Sequence, residues 1–115
     1  MFAELRSYRR LPGTAADYFA LYEAKGMRIQ LQYLPTMFGY YQSEIGDLNQ
    51  AVHLWGHESL DARETNRARM RSDPAFKAYW NEVRPLILEQ KNQILRAAPF
   101  FEERLAEMMK MFTVA

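Results

Sequence analysis

Between residues 51 and 63 the sequence AVHLWGHESLDAR switches from one periodicity to another. Val52, Leu54 and Gly56 alternate with His53, Trp55 and His57, the period of two that marks a strand. Ser59 or Asp61 then caps a helix, with Glu64 completing a capping box from Asp61. A strand that hands over at once to a helix constrains the chemistry as well as the fold. On a helix, His53 and His57 would stand about 5–6 Å apart on one face, the geometry of a two-histidine metal site. On a strand rising ~3.3 Å per residue they share a face but lie ~13 Å apart. Two ligands of one zinc each sit about 2 Å from the ion. The pair is therefore expected to pack or hydrogen-bond, and no metal site is predicted.

The same reading extends along the chain. Phe2 to Arg10 alternates as a strand, broken by Leu11-Pro12-Gly13. Thr14 with Asp17 forms a capping box for a helix whose face is Ala15, Tyr18, Phe19, Tyr22, Gly26, Ile29 and Tyr33; Gly26 loosens that helix and Pro35 marks its end. Thr36 to Ile45 is aromatic-rich and β-like, and the link GDLNQ joins it to a strand over Ala51–Glu58. After the arginine-rich helix that follows Ser59, Ser72-Asp73-Pro74 caps another, with Pro74 at its favoured first position. Phe76, Tyr79, Trp80, Val83 and Ile87 form its apolar stripe, which Pro85 kinks or ends. The pattern of Leu88 to Ala98 is ambiguous, and it is assigned as a fourth strand because β-α-β-β-α lacks only a closing β.

The result is an α+β fold: a ferredoxin-like βαββαβ unit with a four-stranded antiparallel sheet and both helical segments on one face. The strand sets containing Tyr8, Tyr40 and Trp55 are expected on the uncovered face, and those containing Leu5, Met37, Gly39, Tyr41, Val52 and Leu54 under the helices. Rings of that number do not stay in water, so a second copy is expected to cover them, giving a homodimeric α+β barrel. Phe101, Leu105, Met108 and Phe112 share one face of an extra C-terminal helix.

A chain of 115 residues is one domain's length. Fifteen basic and fourteen acidic residues nearly cancel, which removes the electrostatic reason to expect nucleic acid or an anionic membrane as partner. With no cysteine, thiolate metal sites, Fe–S clusters and cysteine nucleophiles are excluded. The N-terminus MFAELRSYRR lacks the pattern of a secretory signal, and no apolar run approaches the ~20 residues of a membrane span. The expectation is a soluble cytoplasmic protein. No dedicated cofactor motif occurs, so any chemistry is cofactor-free or borrows a ligand.

Arg6, Tyr8, Tyr40, His53, Trp55 and His57 are the candidate pocket residues. A histidine there could serve as general acid or base or simply satisfy a neighbouring polar group. Glu4, Arg6 and Glu44 are read either as a structural ion pair near the barrel rim or as an anion-orienting site built on Arg6. Arg63, Arg67 and Arg71, at four-residue intervals with Arg69 nearby, are taken as a solvated helix face because Asp61 and Glu64 lie in the same helix.

The segments ELRSYRRLPG, GYYQSEIGDLNQAVHLWGHESLDAR, DPAFKAYWNEVRPLI and NQILRAAPF resemble the NIPSNAP domain over about residues 2–100. The resemblance implies membership of the dimeric α+β barrel superfamily, with residues 1–100 as the ferredoxin-type domain and 101–115 as a C-terminal helical tail. It implies no catalytic residue set. Two functions remain open: a homodimeric binding domain for a small aromatic or apolar ligand, or a cofactor-independent oxygenase or isomerase acting on a planar aromatic or polyketide-like substrate. A third and weaker possibility is haem, with one histidine as axial ligand.

Overall fold

Phe2–Arg10 (β1), Met37–Gln42 (β2), Gln50–His57 (β3) and Ile87–Leu95 (β4) form one antiparallel sheet in the order β2-β3-β1-β4. The computed structural model describes residues 1–114. β1 and β3 are central, with Leu5 opposite Leu54 and Arg6 opposite His53; Tyr40 of β2 and Asn92 of β4 continue the row through Arg6 and His53. This is the expected ferredoxin-like arrangement, including the fourth strand that the residue pattern left ambiguous.

Each crossover carries a split helix. Ala15–Leu21 (α1) and Met27–Tyr33 (α2) are joined by a π-helical turn over Tyr22–Gly26, and Leu60–Ser72 (α3) is followed directly by Pro74–Val83 (α4). Ser59, not Asp61, caps α3, accepting the Ala62 amide at 3.0 Å. Asp73 accepts the Ala75 amide at 2.8 Å ahead of Pro74. Thr14 does not form the expected box: its hydroxyl donates to the Leu11 carbonyl at 2.6 Å, so it closes the preceding turn and leaves α1 without a side-chain cap. Pro85 sits in a 3-10 turn, Arg84–Leu86, and the chain bends there, so Ile87 begins β4 instead of extending the α4 stripe.

The sheet faces are the reverse of the expectation. Tyr8, Ala51 and Trp55 pack in one core with Tyr18, Tyr22, Ile29, Met70, Phe76, Tyr79 and Val83 of the helical segments. Glu4, His53 and His57 are buried on that same face. Leu5, Val52 and Leu54 are only half-buried on the other. Two causes account for the reversal. The helices themselves present rings, so the aromatic strand set completes an aromatic layer. The charged members of the set are satisfied beneath the helices by partners far away in sequence. A bulge between Met37 and Gly39 adds a local exchange: Met37 packs toward the helix-side core, while Phe38 meets Phe112 across the other face. The inference of a dimer from exposed rings therefore loses its premise.

Glu102–Phe112 (α5) docks on its own chain, on the sheet face opposite the other helices. A side chain at Gly56 would strike both Met109 and Phe38, so close packing of α5 on β3 depends on that glycine. Leu105 and Met109 are its buried residues. Beyond it, Thr113 bridges Thr36, and the Val114 amide donates to the Pro35 carbonyl at 2.9 Å.

Gly26 marks the closest approach of the first helical segment to α4. A Cβ there would lie 2.5 Å from the Tyr79 ring and 2.9 Å from that of Tyr22. Alanine favours a helix over glycine by about 1 kcal/mol, yet Gly26→Ala is expected to destabilise the protein by about 1–3 kcal/mol through overpacking. Urea denaturation measures this, and equal or greater stability would show that the Tyr79 ring yields freely.

Candidate functional site

The helix-facing side of β1 begins with Glu4, whose side chain is 1 % exposed. Its carboxylate accepts from Arg63 Nε and Nη2, Arg6 Nη1 and His57 Nε2, each at 2.9 Å, and from Asn92 Nδ2 at 3.1 Å. Burial by itself would raise the Glu4 pKa. The hydrogen bonds from His57, Arg63 and Asn92, with the charge of Arg6, outweigh it and hold the carboxyl far below the usual carboxylate range. Glu4 also fixes Arg6, whose Nε donates to the Tyr8 hydroxyl at 3.2 Å.

Next along the face stands His53, 1 % exposed. The Trp55 indole donates to its Nδ1 at 2.6 Å, so in the neutral ring the proton belongs on Nε2, which has no partner. Tyr40 stacks on the imidazole, with centroids 4.5 Å apart and planes 9° from parallel, and Tyr8 meets it edge-on at 4.8 Å. Burial, reinforced by the charge of Arg6, pulls the His53 pKa down to about 3. His53 is thus a neutral hydrogen-bond donor, ill suited to accept a proton. Tyr40 shares a 2.6 Å hydroxyl contact with Tyr18, and burial pushes both phenols up, keeping them uncharged near neutrality.

Between this face and helices α2, α3 and α4 lies a cavity of about 290 Å³. Tyr8, Tyr40, Met70, Phe76, Tyr79 and Trp80 form its apolar walls; Gln30 and Gln90 add amides, and Arg6, Arg67, Arg71 and Lys77 add positive charge. Of the candidate residues, Arg6, Tyr8 and Tyr40 line the cavity. His53 and Trp55 stand buried in the packing around Tyr8 and Tyr40, and His57 belongs to the Glu4 cluster. Neither histidine borders the cavity, so a haem ligated by one of them does not fit this arrangement. Glu44 is exposed in the loop between β2 and β3, away from Glu4 and Arg6.

The arginine run is a solvated face only in part: Arg69 and Arg71 are exposed, while Arg63 and Arg67 are half-buried. Arg63 reaches down to Glu4, and Arg67 and Arg71 line the cavity. The i, i+4, i+8 spacing is the sequence signal for that placement. Acidic residues of the same helix do not offset it, since Glu64 pairs only with the outer edge of Arg63, at 2.7 Å.

The model of the NIPSNAP family matches residues 3–102. The chain belongs to the NIPSNAP family. The human protein NipSnap homolog 3B is 31 % identical over 98 residues, 84 % of this chain but 39 % of the relative, so the chain spans about two fifths of that protein's length. A crystal structure of a nipsnap family protein with unknown function from Agrobacterium tumefaciens is 38 % identical with a TM-score of 0.81, covering 86 % of this chain and 92 % of that one. A putative antibiotic biosynthesis monooxygenase from Nitrosomonas europaea shares the fold alone, at 12 % identity and a TM-score of 0.61, covering 84 % of this chain and 98 % of that one. Among the described residues of this NIPSNAP domain, no helix is long and apolar enough to cross a membrane.

The Glu4 cluster sets a pH dependence. The folded pKa lies below the ordinary value of 4.5, so the unfolded chain binds more protons and stability falls as pH drops through and below that value. Glu4→Gln is expected to remove that portion of the acid sensitivity. It also leaves Arg6 without its anion and Arg63 with Glu64 alone, costing about 3–5 kcal/mol at neutral pH. Denaturant melts of both proteins at a series of pH values measure the two effects, and parallel pH curves would contradict the assignment.

Proposed function

We propose that this NIPSNAP domain is a homodimeric binding module that holds a small aromatic or apolar molecule in the cavity between its sheet and helices. The observation that carries this is the wall itself: six large apolar or aromatic side chains around about 290 Å³, with a few polar groups among them, the usual composition of a small-molecule site. The reading calls for no cofactor. Calorimetric titration with 2-naphthol, neutral and planar, is expected to show saturable binding. Trp80→Ala, which removes one half-buried wall, is expected to weaken it by about tenfold or more. Equal binding by both proteins would move the site elsewhere.

Dimerisation is supported by the sheet face that helices α1–α4 leave uncovered. Leu5, Val52, Leu54 and Leu95 lie there partly exposed, beside the part of the face on which α5 packs. Sedimentation at micromolar concentration is expected to give a dimer, and Leu5→Glu a folded monomer. A stable wild-type monomer overturns this half of the proposal.

One observation favours a catalytic alternative, a cofactor-independent oxygenase or isomerase. His53 holds an unpartnered Nε2–H between the rings of Tyr8 and Tyr40, both of which line the cavity. In that reading His53, which does not itself border the cavity, positions the rings of Tyr8 and Tyr40 against the substrate. Oxygen uptake or isomerisation with hydroxylated naphthalenes, lost in a folded His53→Ala variant, distinguishes it from simple binding.

A further inference from the structure

We propose that the cavity takes its ligand as an anion, with the apolar body against the aromatic walls and an oxyanion head, carboxylate or phosphate, on Arg67. This rests on the reading that the cavity binds a small molecule, and it adds the ligand's charge and the residue that recognises it. Among the described residues four arginines are not fully exposed, and three of them have partners. Arg6 and Arg63 hold Glu4, and Arg10 donates to the Asn49 carbonyl at 3.2 Å while lying over the rings of Tyr18 and Phe19. Arg67 alone of the four makes no hydrogen bond or ion pair, and it lines the cavity.

The surroundings sharpen the point. Arg6, Arg67, Arg71 and Lys77 all border the cavity, and no acidic residue does. Arg6 is answered by Glu4, which is already saturated with five donor contacts from four residues. Arg71 and Lys77 are exposed and water serves them. The half-buried Arg67 guanidinium has neither remedy in full. Burial, together with repulsion from Arg6, pulls its pKa down to about 10, so it keeps its charge at neutral pH at a cost to the fold. A chain with fourteen acidic residues that sends none of them here leaves the planar guanidinium fork open to an incoming carboxylate or phosphate, the groups it binds in bidentate fashion.

Calorimetry with 2-naphthoate, 2-naphthyl phosphate and the uncharged 2-naphthamide tests this on the whole chain at fixed salt. At least one anion is expected to bind about tenfold or more tightly than the amide, as a charge-assisted contact implies. Preference between the two anions identifies the head group. Arg67→Gln is expected to bring the anions down to the amide's affinity and leave the amide unchanged. Arg69→Gln, an exposed position on the same helix, is expected to alter neither. A second readout needs no ligand: unliganded Arg67→Gln is expected to melt at a higher temperature than the wild type, because it removes an unpaired, partly desolvated charge, whereas a merely structural arginine would lower the melting point when removed. If the amide and both anions bind the wild type equally, or the anion preference survives in Arg67→Gln, the anion inference is overturned. Trp80-dependent binding of 2-naphthol would then still support the cavity. If no naphthalene probe binds, both readings fall together.

Discussion

Glu4 cannot leave water alone, and the way it is accompanied organises the molecule. Its carboxylate draws donors from its own strand through Arg6, from β3 through His57, from β4 through Asn92 and from α3 through Arg63. An unpaired carboxylate in such a place costs several kcal/mol, roughly, so the cluster forms only when three strands and a helix arrive in register. That requirement fixes which face of the sheet is buried. It also orients Arg6 toward Tyr8 and seats the first turns of α3, from which Arg67 and Arg71 are carried to the cavity.

The elements were legible wherever local chemistry decided them. Alternation marked β1 and β3, Pro74 and Asp73 marked the start of α4, and Pro85 marked its end. β4 was legible only through topology, since LEQKNQIL carries no clear period and the ferredoxin-like order had to supply it. The choice of face was misread because alternation states which residues share a side and not what covers them. Leu5, Val52 and Leu54 look like core against His53 and His57 until Arg63 and Asn92, nearly sixty and ninety residues from Glu4, are known to satisfy the polar set. The bulge at Phe38 was illegible for a related reason, since it answers to Phe112 at the far end of the chain.

The candidate site divides along the same line. Alternation places Arg6 and Tyr8 on one side of β1, but the cavity they line with Tyr40 lies under the helices and not on the open face where the pattern put it. The helical half of the wall carries no such mark in the sequence, where Phe76, Tyr79 and Trp80 belong to an apolar stripe and Arg67 and Arg71 to a charged helix face. The two histidines have separate occupations: His57 serves the carboxylate cluster, while His53 is tuned by Trp55 into a neutral donor held against Tyr40. A fold shared with monooxygenases at 12 % identity does not transfer their chemistry; the tautomer of one buried ring says more about what this site can do.

The pairing of Thr36 with Thr113, and of Pro35 with Val114, has a consequence for how the sheet meets other chains. β2 is an edge strand, and an edge offers free amides and carbonyls on which a foreign strand can template. Here Thr113 and Val114 occupy the positions leading into that edge. The opposite edge, β4, is protected by composition, with Glu89 and Lys91 paired side by side at 3.1 Å. Two unrelated devices thus guard the edges in part, a backbone bridge at the entry to β2 and a charged pair on β4.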